Sequence, residues 1–201
     1  MNGIGPASLF ILVSNIGLSL AGLFLAPQII ERCLFRPVEF ARGLRRATLV
    51  TSGFVHADLP HLLFNMLTFW FFGPPLERRI GTPMFVLLYA AGLLVSQYGS
   101  YRKQRHNPQY ATLGASGAIS AVLFANIVYW PTNTLILMFL PIPIPAPLFG
   151  IAYLAYTWWS ARQSRDRINH DAHLGGALAG LAFVALFDPQ AYVRAWALVA
   201  G

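Results

Sequence analysis

The amino-acid sequence predicts an all-α membrane protein, a polytopic bundle of six transmembrane helices formed by a single domain over residues 1–201. Two observations support this prediction. Hydrophobic residues make up 56% of the chain and charged residues only 10%, whereas soluble domains carry about 25% charged residues. The apolar residues also gather in runs long enough for membrane helices, and short polar or basic loops separate these runs.

The first apolar run, residues 7–26, contains twenty uncharged residues, enough for a helix of about 30 Å. Because no basic segment precedes it, we expect a spanning helix and not a secretory signal peptide. Further spans are predicted at residues 59–73, 83–99, 112–130, 148–160 and 170–187. The charged residues 76–81 predict a tight turn, and the five prolines of residues 131–147 predict a stiff extended connection.

The net charge of +7 does not indicate a nucleic-acid partner. The basic residues lie in short clusters between apolar runs without interleaved aromatic residues, which is typical of anchors at the lipid headgroups. Cys33 is the single cysteine, so an intramolecular disulfide and a thiolate metal cluster are both excluded. No H-E-x-x-H spacing occurs either, and we expect neither a metal nor another cofactor.

Small residues surround one hydroxyl at the start of the fourth predicted span. The motif is Gly114-Ala115-Ser116-Gly117, followed by Ala118. Glycine and alanine allow another backbone, or a substrate, to come close to Ser116. Two interpretations follow, a helix-packing contact and a nucleophile, and the second requires a base elsewhere in the chain.

Polar residues occur near the start of two other spans. His61 and Asn65 are four residues apart, so both project from one face of the second span. His56 precedes them and is expected to act as a structural cap in the loop. His173 lies in the first turn of the sixth span. Intramembrane polar groups usually face the interior of a helix bundle, so these residues are candidates for one common site.

Glycines are expected to bring the helices of this site together. Gly176 and Gly180 form a Gly-x-x-x-Gly pair after His173, and this pattern permits close helix approach. Gly114 and Gly117 do the same around Ser116. Six spans place the starts of the second, fourth and sixth on the same side of the membrane, so all four polar residues are predicted at one depth.

These motifs, in this order, resemble those of the rhomboid family of intramembrane serine proteases, and the resemblance covers nearly the whole chain. The family's His and Asn four apart on the second helix are matched by His61 and Asn65. Its Gly-x-Ser-Gly motif is matched by residues 114–117, and its Ala-His-x-x-Gly motif by residues 172–176. The family often carries a Trp-Arg pair in the first loop, whereas Arg45-Arg46 here has no tryptophan.

The resemblance implies an intramembrane serine endopeptidase with Ser116 as nucleophile and His173 as general base, in a dyad without an acid. It also implies an oxyanion hole formed by Asn65, His61 and the backbone N–H of Ser116. Asp171 precedes His173 by two residues, so the two side chains point to different helix faces and Asp171 is not expected to be a triad acid.

The resemblance further implies that the partners are single-span membrane proteins, cleaved within the lipid bilayer, and that the chain is a multi-pass protein of a bacterial plasma membrane. Eleven Lys and Arg residues lie in the loops on the predicted catalytic side and three on the other. The positive-inside rule therefore predicts a site facing the cytoplasm, whereas the resemblance implies one that opens outward. The sequence leaves this orientation, the oligomeric state and the individual substrate open.

Two other interpretations remain at this point. An inactive rhomboid-like protein would bind or escort clients, although such relatives typically lack the serine or the histidine, and both are present here. A small transporter would use the polar residues to line a substrate path, although it would usually show an internal repeat. Labelling by a fluorophosphonate probe, which requires an activated serine, distinguishes both from a protease.

Overall fold

The fold is known from a computed structural model that describes residues 3–137, 140–163 and 169–201. Six helices of 14 or more residues occur within these ranges, together with several shorter helices and one β-hairpin. In chain order the elements are α1 (Pro6–Leu20) with a π-helical continuation (Ala21–Leu25), α2 (Gln28–Cys33), α3 (Pro37–Ala41), α4 (Thr48–Thr51), a 3₁₀ turn (Ser52–Phe54), α5 (Leu59–Ile80), α6 (Thr82–Gln104), α7 (Ser116–Tyr129), β1 (Thr134–Leu137), β2 (Leu140–Pro145), α8 (Ala146–Gln163), α9 (His170–Phe187) and α10 (Gln190–Ala200).

Three segments within the described ranges are long and apolar enough to cross a membrane, namely Pro6–Leu25, Thr82–Gln104 and His170–Phe187. Helix α7 is apolar as well but shorter. The predicted helical membrane fold is therefore supported, while the count of six spans stays a prediction. Helix α10 was not predicted from the sequence, and α6 continues to Gln104 where the sequence predicted an end at residue 99.

Helix α7 occupies the centre of the molecule. All its residues from Gly117 to Val128 are buried, and helices α5, α6, α8 and α9 pack around it. The principal core joins α7 to its neighbours through large apolar side chains such as Phe69, Phe85 and Val122, which are all fully buried. A helix that is apolar on every side belongs inside a bundle, and this central position fixes the first residue, Ser116, relative to the four helices around it.

The prediction that the second span ends at residue 73 is wrong. Helix α5 continues through Pro74 and Pro75 to Ile80, and Gly81 ends it with a φ of +79°, a conformation that favours glycine. The tight turn expected at residues 76–81 is consequently the last turn of this helix. Leu76 and Glu77 are both buried there, so tertiary burial outweighs the helix-breaking tendency of the two prolines.

Glu77 fastens the start of α1 to the end of α5. Its two carboxylate oxygens accept hydrogen bonds from the backbone N–H groups of Ala7 (3.0 Å) and Ser8 (2.8 Å). The hydroxyl of Thr82 donates a further bond of 2.8 Å. The first N–H groups of a helix have no partner within the helix, and a carboxylate at that end also interacts favourably with the helix dipole.

The proline-rich connection is extended, as predicted, but it forms a hairpin. Strands β1 and β2 pair antiparallel, with Thr134 opposite Pro145 and Leu135 opposite Ile144. The all-α prediction therefore misses this one two-stranded element. Between the predicted fifth and sixth spans, residues 164–168, which include Arg165 and Arg167, lie outside the described residues.

Candidate active site

Ser116 is the first residue of helix α7, directly after a glycine with an unusual backbone conformation. Gly114 has a φ of +117°, which residues with a side chain rarely adopt. A Cβ placed on Gly114 would also lie 2.6 Å from Cε1 of His61. Its N–H donates to the carbonyl of Ser52 at 2.8 Å. This turn therefore requires glycine at position 114. It brings the backbone two residues before Ser116 against the His61 ring.

Backbone contact between α7 and α9 brings the serine and histidine helices together. A Cβ added to Gly176 would overlap the carbonyl oxygen of Gly117, and one added to Gly180 would overlap that of Ala121. A Cβ on Gly117 would lie 3.3 Å from the carbonyl oxygen of Ala172. Because Ala172 precedes His173 and Gly117 follows Ser116, these close approaches place the first turns of the two helices side by side.

Tyr153 of α8 contacts both helices and was not singled out from the sequence. Its ring stacks on that of His173, with centroids 6.4 Å apart and planes inclined by 23°. Its hydroxyl lies 3.0 Å from Oγ of Ser120, one helical turn after Ser116. One side chain thus contacts both the predicted base and the helix that begins with Ser116. Nothing in the local sequence distinguishes Tyr153 from the other aromatic residues of this helix.

The start of α9 is held by Asn169, which was also not identified as a candidate from the sequence. Its side-chain oxygen accepts a hydrogen bond from the N–H of Ala172 (3.0 Å), so it caps the helix. Its side-chain amide donates to the hydroxyls of Ser100 (2.8 Å) and Thr112 (3.1 Å). The cap therefore ties the histidine helix to α6 and to the segment that leads into Ser116. The preference for Asn at helix starts is a signal that could have identified it.

Helix α5 carries His61 and Asn65 one helical turn apart, so both side chains lie on one face of this helix. Asp58 caps this helix by accepting a hydrogen bond of 2.8 Å from the N–H of His61. The cap therefore fixes the residue at which the helix begins. The His61 ring is partly buried and packs against Gly114, as described. Asn65 is only 8% exposed, and its Nδ2 has no hydrogen-bond partner among the described residues. Asn65 therefore stays a candidate donor of the predicted site.

His56 differs from the expectation of a solvated loop residue. Its side chain is fully buried, its Nδ1 lies 3.0 Å from Oγ of Ser19, and its ring meets that of His61 edge-on at 4.9 Å. Burial, together with the neighbouring His61, lowers the pKa of His56 to about 3. His56 is consequently a neutral group that connects α1 to the start of α5, whereas Asp58 provides the cap.

Asp171 is engaged away from His173. Its carboxylate forms an ion pair of 2.9 Å with Lys103, and the ammonium group of Lys103 also donates to the carbonyl of Ala161. His170, in contrast, is buried and its ring meets that of His173 edge-on at 6.3 Å. The ion pair therefore links the ends of α6, α8 and α9, while the absence of Asp171 from a triad stays a prediction.

Comparison with known proteins identifies the family. A family model described as the rhomboid domain matches residues 44–190. The chain belongs to the rhomboid family. The matched rhomboid domain contains every candidate site residue named above, from His56 to Gly180. Helix α1 lies wholly outside it, and α10 lies outside it except for its first residue, Gln190.

Several rhomboid relatives are similar over most of this chain. RHOMBOID-like protein 12, mitochondrial, of Arabidopsis thaliana is 34% identical over 148 residues, which is 66% of this chain and 44% of the relative. Presenilin-associated rhomboid-like protein, mitochondrial, of Homo sapiens is 29% identical over 80% of this chain and 46% of the relative. Rhomboid protein 1, mitochondrial, of Saccharomyces cerevisiae is 29% identical over 89% and 53%, respectively. The chain thus spans about half the length of these relatives.

Proposed function

We propose that this rhomboid is an intramembrane serine endopeptidase in which Ser116 attacks the peptide carbonyl and His173 acts as general base. The close approach of Gly117 to Gly176 carries this proposal. Helix axes normally lie 8–10 Å apart, which is too far for two short side chains to meet. Backbone contact at this point allows Ser116 and His173 to come within hydrogen-bonding reach, about 2.6–3.2 Å in such pairs.

The proposed reaction follows from these roles. Oγ of Ser116 attacks the scissile carbonyl carbon while His173 takes the hydroxyl proton, and the carbonyl oxygen becomes an oxyanion. His173 then gives the proton to the leaving amine, which produces an acyl-enzyme and the first product. Water attacks the acyl-enzyme with His173 again as base, releasing the acid and restoring the serine.

Asn65, His61 and the backbone N–H of Ser116 are proposed to stabilise the oxyanion. The N–H groups in the first turn of a helix have no acceptor within the helix, and Ser116 begins α7. The buried Nδ2 of Asn65 has no partner among the described residues, so it can donate without first losing a bond. A single donor of this kind contributes about 2.7–4 kcal/mol to lowering the barrier.

Tyr153 and the four glycines are proposed as positioning residues. The stacking of Tyr153 limits rotation of the His173 ring, so little reorientation is needed before proton transfer. Gly114 and Gly117 keep the space around Ser116 free, while Gly176 and Gly180 keep α9 against α7. The asparagine cap at residue 169 supports the same alignment from the loop side.

The substrates are proposed to be single-span membrane proteins cleaved inside the lipid bilayer. The rhomboid family generally consists of intramembrane serine proteases, and the apolar, helical chain is an integral membrane protein. Ser116 and His173 lie in the first turns of their helices, next to polar loops through which water can arrive. A bacterial plasma membrane stays a prediction, which the relatives, named as mitochondrial, do not support.

Labelling by a fluorophosphonate probe and cleavage of a helical model substrate together test this proposal. In detergent-solubilised protein we expect Ser116→Ala to lose both activities and His173→Ala to lose cleavage. The double variant should be no worse than either single variant, because the two groups act as one unit. Ser14→Ala, which removes a serine whose hydroxyl bonds only to carbonyls of its own helix α1, is the control and should still be labelled.

Near-normal cleavage by folded Ser116→Ala or His173→Ala protein would contradict the dyad. A folded wild-type chain that neither reacts with the probe nor cleaves the substrate would favour the client-binding interpretation instead. Size-exclusion chromatography and the melting temperature of each variant establish whether it is folded before activities are compared.

A further inference from the structure

A second concave site lies outside the serine site, between α3 and the C-terminal end of α6. The cavity has a volume of about 410 Å³. Its lining is divided by chemistry: Arg42, Arg105 and His106 provide nitrogen donors. Val38, Ala41 and the ring of Tyr101 provide carbon surface. A cavity with a cationic part and an apolar part fits a ligand that is itself amphipathic.

The walls of this cavity are fixed by aromatic packing. The ring of Phe40 in α3 meets that of Tyr101 in α6 edge-on, with centroids 5.5 Å apart. Phe35 meets Phe40 at the same distance and is fully buried. The backbones of Phe35 and Thr112 exchange two hydrogen bonds of 3.0 Å each. The two sides of the cavity are thus held together without a ligand, so binding requires little ordering of the protein.

The positive charge in the cavity is not balanced by nearby carboxylates. The acidic residues of this region, Glu31 and Glu39, form ion pairs with Arg36 and Arg45. Within the described part of the chain, neither Arg42 nor Arg105 forms an ion pair with an acidic side chain. Two guanidinium groups that share a cavity without a counter-charge are a favourable arrangement for a phosphate, which arginine binds through paired N–H donors.

The position of the cavity favours a lipid over a phosphate from solution. Helix α6 is a candidate membrane span that ends at Gln104, so Tyr101, Arg105 and His106 lie where a spanning helix leaves the hydrocarbon region. Basic pockets at this depth bind the headgroups of anionic lipids. The carbon surface of Val38 and Ala41 matches the glycerol and the first methylenes of a phospholipid, whereas a free phosphate has no use for it.

We propose that this cavity binds the headgroup phosphate of an anionic phospholipid, with Arg42 and Arg105 as its principal ligands and His106 as a further donor. Occupation joins α3 to the end of α6, so the bound lipid stabilises the folded state by mass action. The site is independent of the serine chemistry, and its test does not require proteolytic activity.

The experiment measures binding of short-chain dihexanoyl phosphatidylglycerol to the full chain in dodecyl maltoside, by native mass spectrometry and by the shift in melting temperature. Saturable binding is expected for wild-type protein. Dihexanoyl phosphatidylcholine and inorganic phosphate should each bind at least about tenfold more weakly, because the first is zwitterionic and the second lacks the apolar part. Binding of phosphatidylglycerol should weaken as salt is added.

Two variants test the assignment of residues. The double variant Arg42→Gln/Arg105→Gln should bind phosphatidylglycerol about tenfold or more weakly, since hydrogen bonds from two charged groups are lost. The control Arg32→Gln/Arg102→Gln removes the same charge from the same side but leaves the cavity lining intact, and should bind within about twofold of wild type. Ala41→Trp fills the cavity without changing charge and should also abolish saturable binding.

Four outcomes would overturn the proposal. Equal loss of binding in the control double variant would reduce the effect to general surface charge. Equal binding of phosphatidylcholine would remove the requirement for an anionic lipid, and equal binding of inorganic phosphate would make the cavity a free-anion site. Unchanged binding by folded Ala41→Trp protein would show that the lipid binds elsewhere.

Discussion

Helix α5 buries one polar side chain toward each end, and the two differ in their hydrogen bonding. Glu77, 2% exposed, has both carboxylate oxygens occupied by the N–H groups of Ala7 and Ser8 and by the Thr82 hydroxyl. Asn65, 8% exposed, has an Nδ2 without a partner among the described residues. The same helix thus carries a satisfied polar group at one end and an unsatisfied donor at the other.

The difference separates a structural role from a functional one. Leaving a buried polar atom without a hydrogen bond costs about 1–3 kcal/mol of stability, so most buried polar atoms have partners. A donor kept without one is available to bind charge that develops only during a reaction. We therefore infer that Glu77 supports the fold, whereas Asn65 serves the proposed active site.

The largest expected effect in this comparison is that of Asn65→Ala on catalysis. If Asn65 donates to the oxyanion, its bond strengthens in the transition state, so kcat should fall by about 10²–10³ with little change in KM. The melting temperature should hardly change, because no bond of Nδ2 is lost. Both quantities are measured on one detergent-solubilised sample.

Asn126→Ala is the matched control for this prediction. Asn126 is also a buried asparagine, 5% exposed, but its amide donates to the carbonyl of Phe72 at 3.4 Å. This variant should lose stability and retain kcat. If Asn65→Ala behaves in the same way, Asn65 is a packing residue and has no place in the oxyanion hole.

Glu77→Gln should give the opposite pattern, a loss of stability of about 1–3 kcal/mol with kcat unchanged. The substitution keeps the shape of the side chain but turns an amide donor toward backbone N–H groups that need acceptors. Thermal or denaturant unfolding measures the loss. Glu31→Gln, at a side chain 60% exposed in a surface ion pair, is the control and should cost at most about 1 kcal/mol. A fall in kcat without a change in stability would reverse the roles inferred for the two ends.

The smallest expected effect is at Gly5, the residue before α1. A Cβ at Gly5 would overlap the carboxylate of Glu77, so Gly5→Ala should destabilise wild-type protein by about 1 kcal/mol through loss of a helix cap. In the Glu77→Ala background the same substitution should cost nearly nothing, because the obstructing group is gone. A double-mutant cycle on unfolding free energies measures this coupling. Additive effects would mean that Gly5 is required for another reason.

The sequence was informative where a signal is local. Apolar runs indicated most helices of the bundle. Ser116 and His173 were predicted near helix starts because each lies where a polar loop meets an apolar run. The ends of α5 and α6 were misplaced because Pro74, Pro75 and the polar residues 100–104 look like helix-ending signals. In α5 the burial of Leu76 and Glu77, which depends on distant parts of the chain, decided otherwise.

Contacts between distant residues were not readable from the sequence. The stacking of Tyr153 on His173 and the bonds from Asn169 to Ser100 and Thr112 join segments that lie far apart in the chain. Likewise, the two carboxylate oxygens of Glu77 reach the start of α1 across about seventy residues. A charged residue followed by two arginines is typical of an exposed turn, so its burial required knowledge of the packing.

The hairpin between α7 and α8 has a consequence for how the protein behaves among other copies of itself. Residues 141, 143 and 145 of β2 are prolines, and alternate residues of a strand face the same edge. Because proline has no N–H, that edge offers carbonyl groups but no donors. An incoming strand cannot complete a hydrogen-bonded ladder there, so the β2 edge of the hairpin resists growth into an intermolecular sheet.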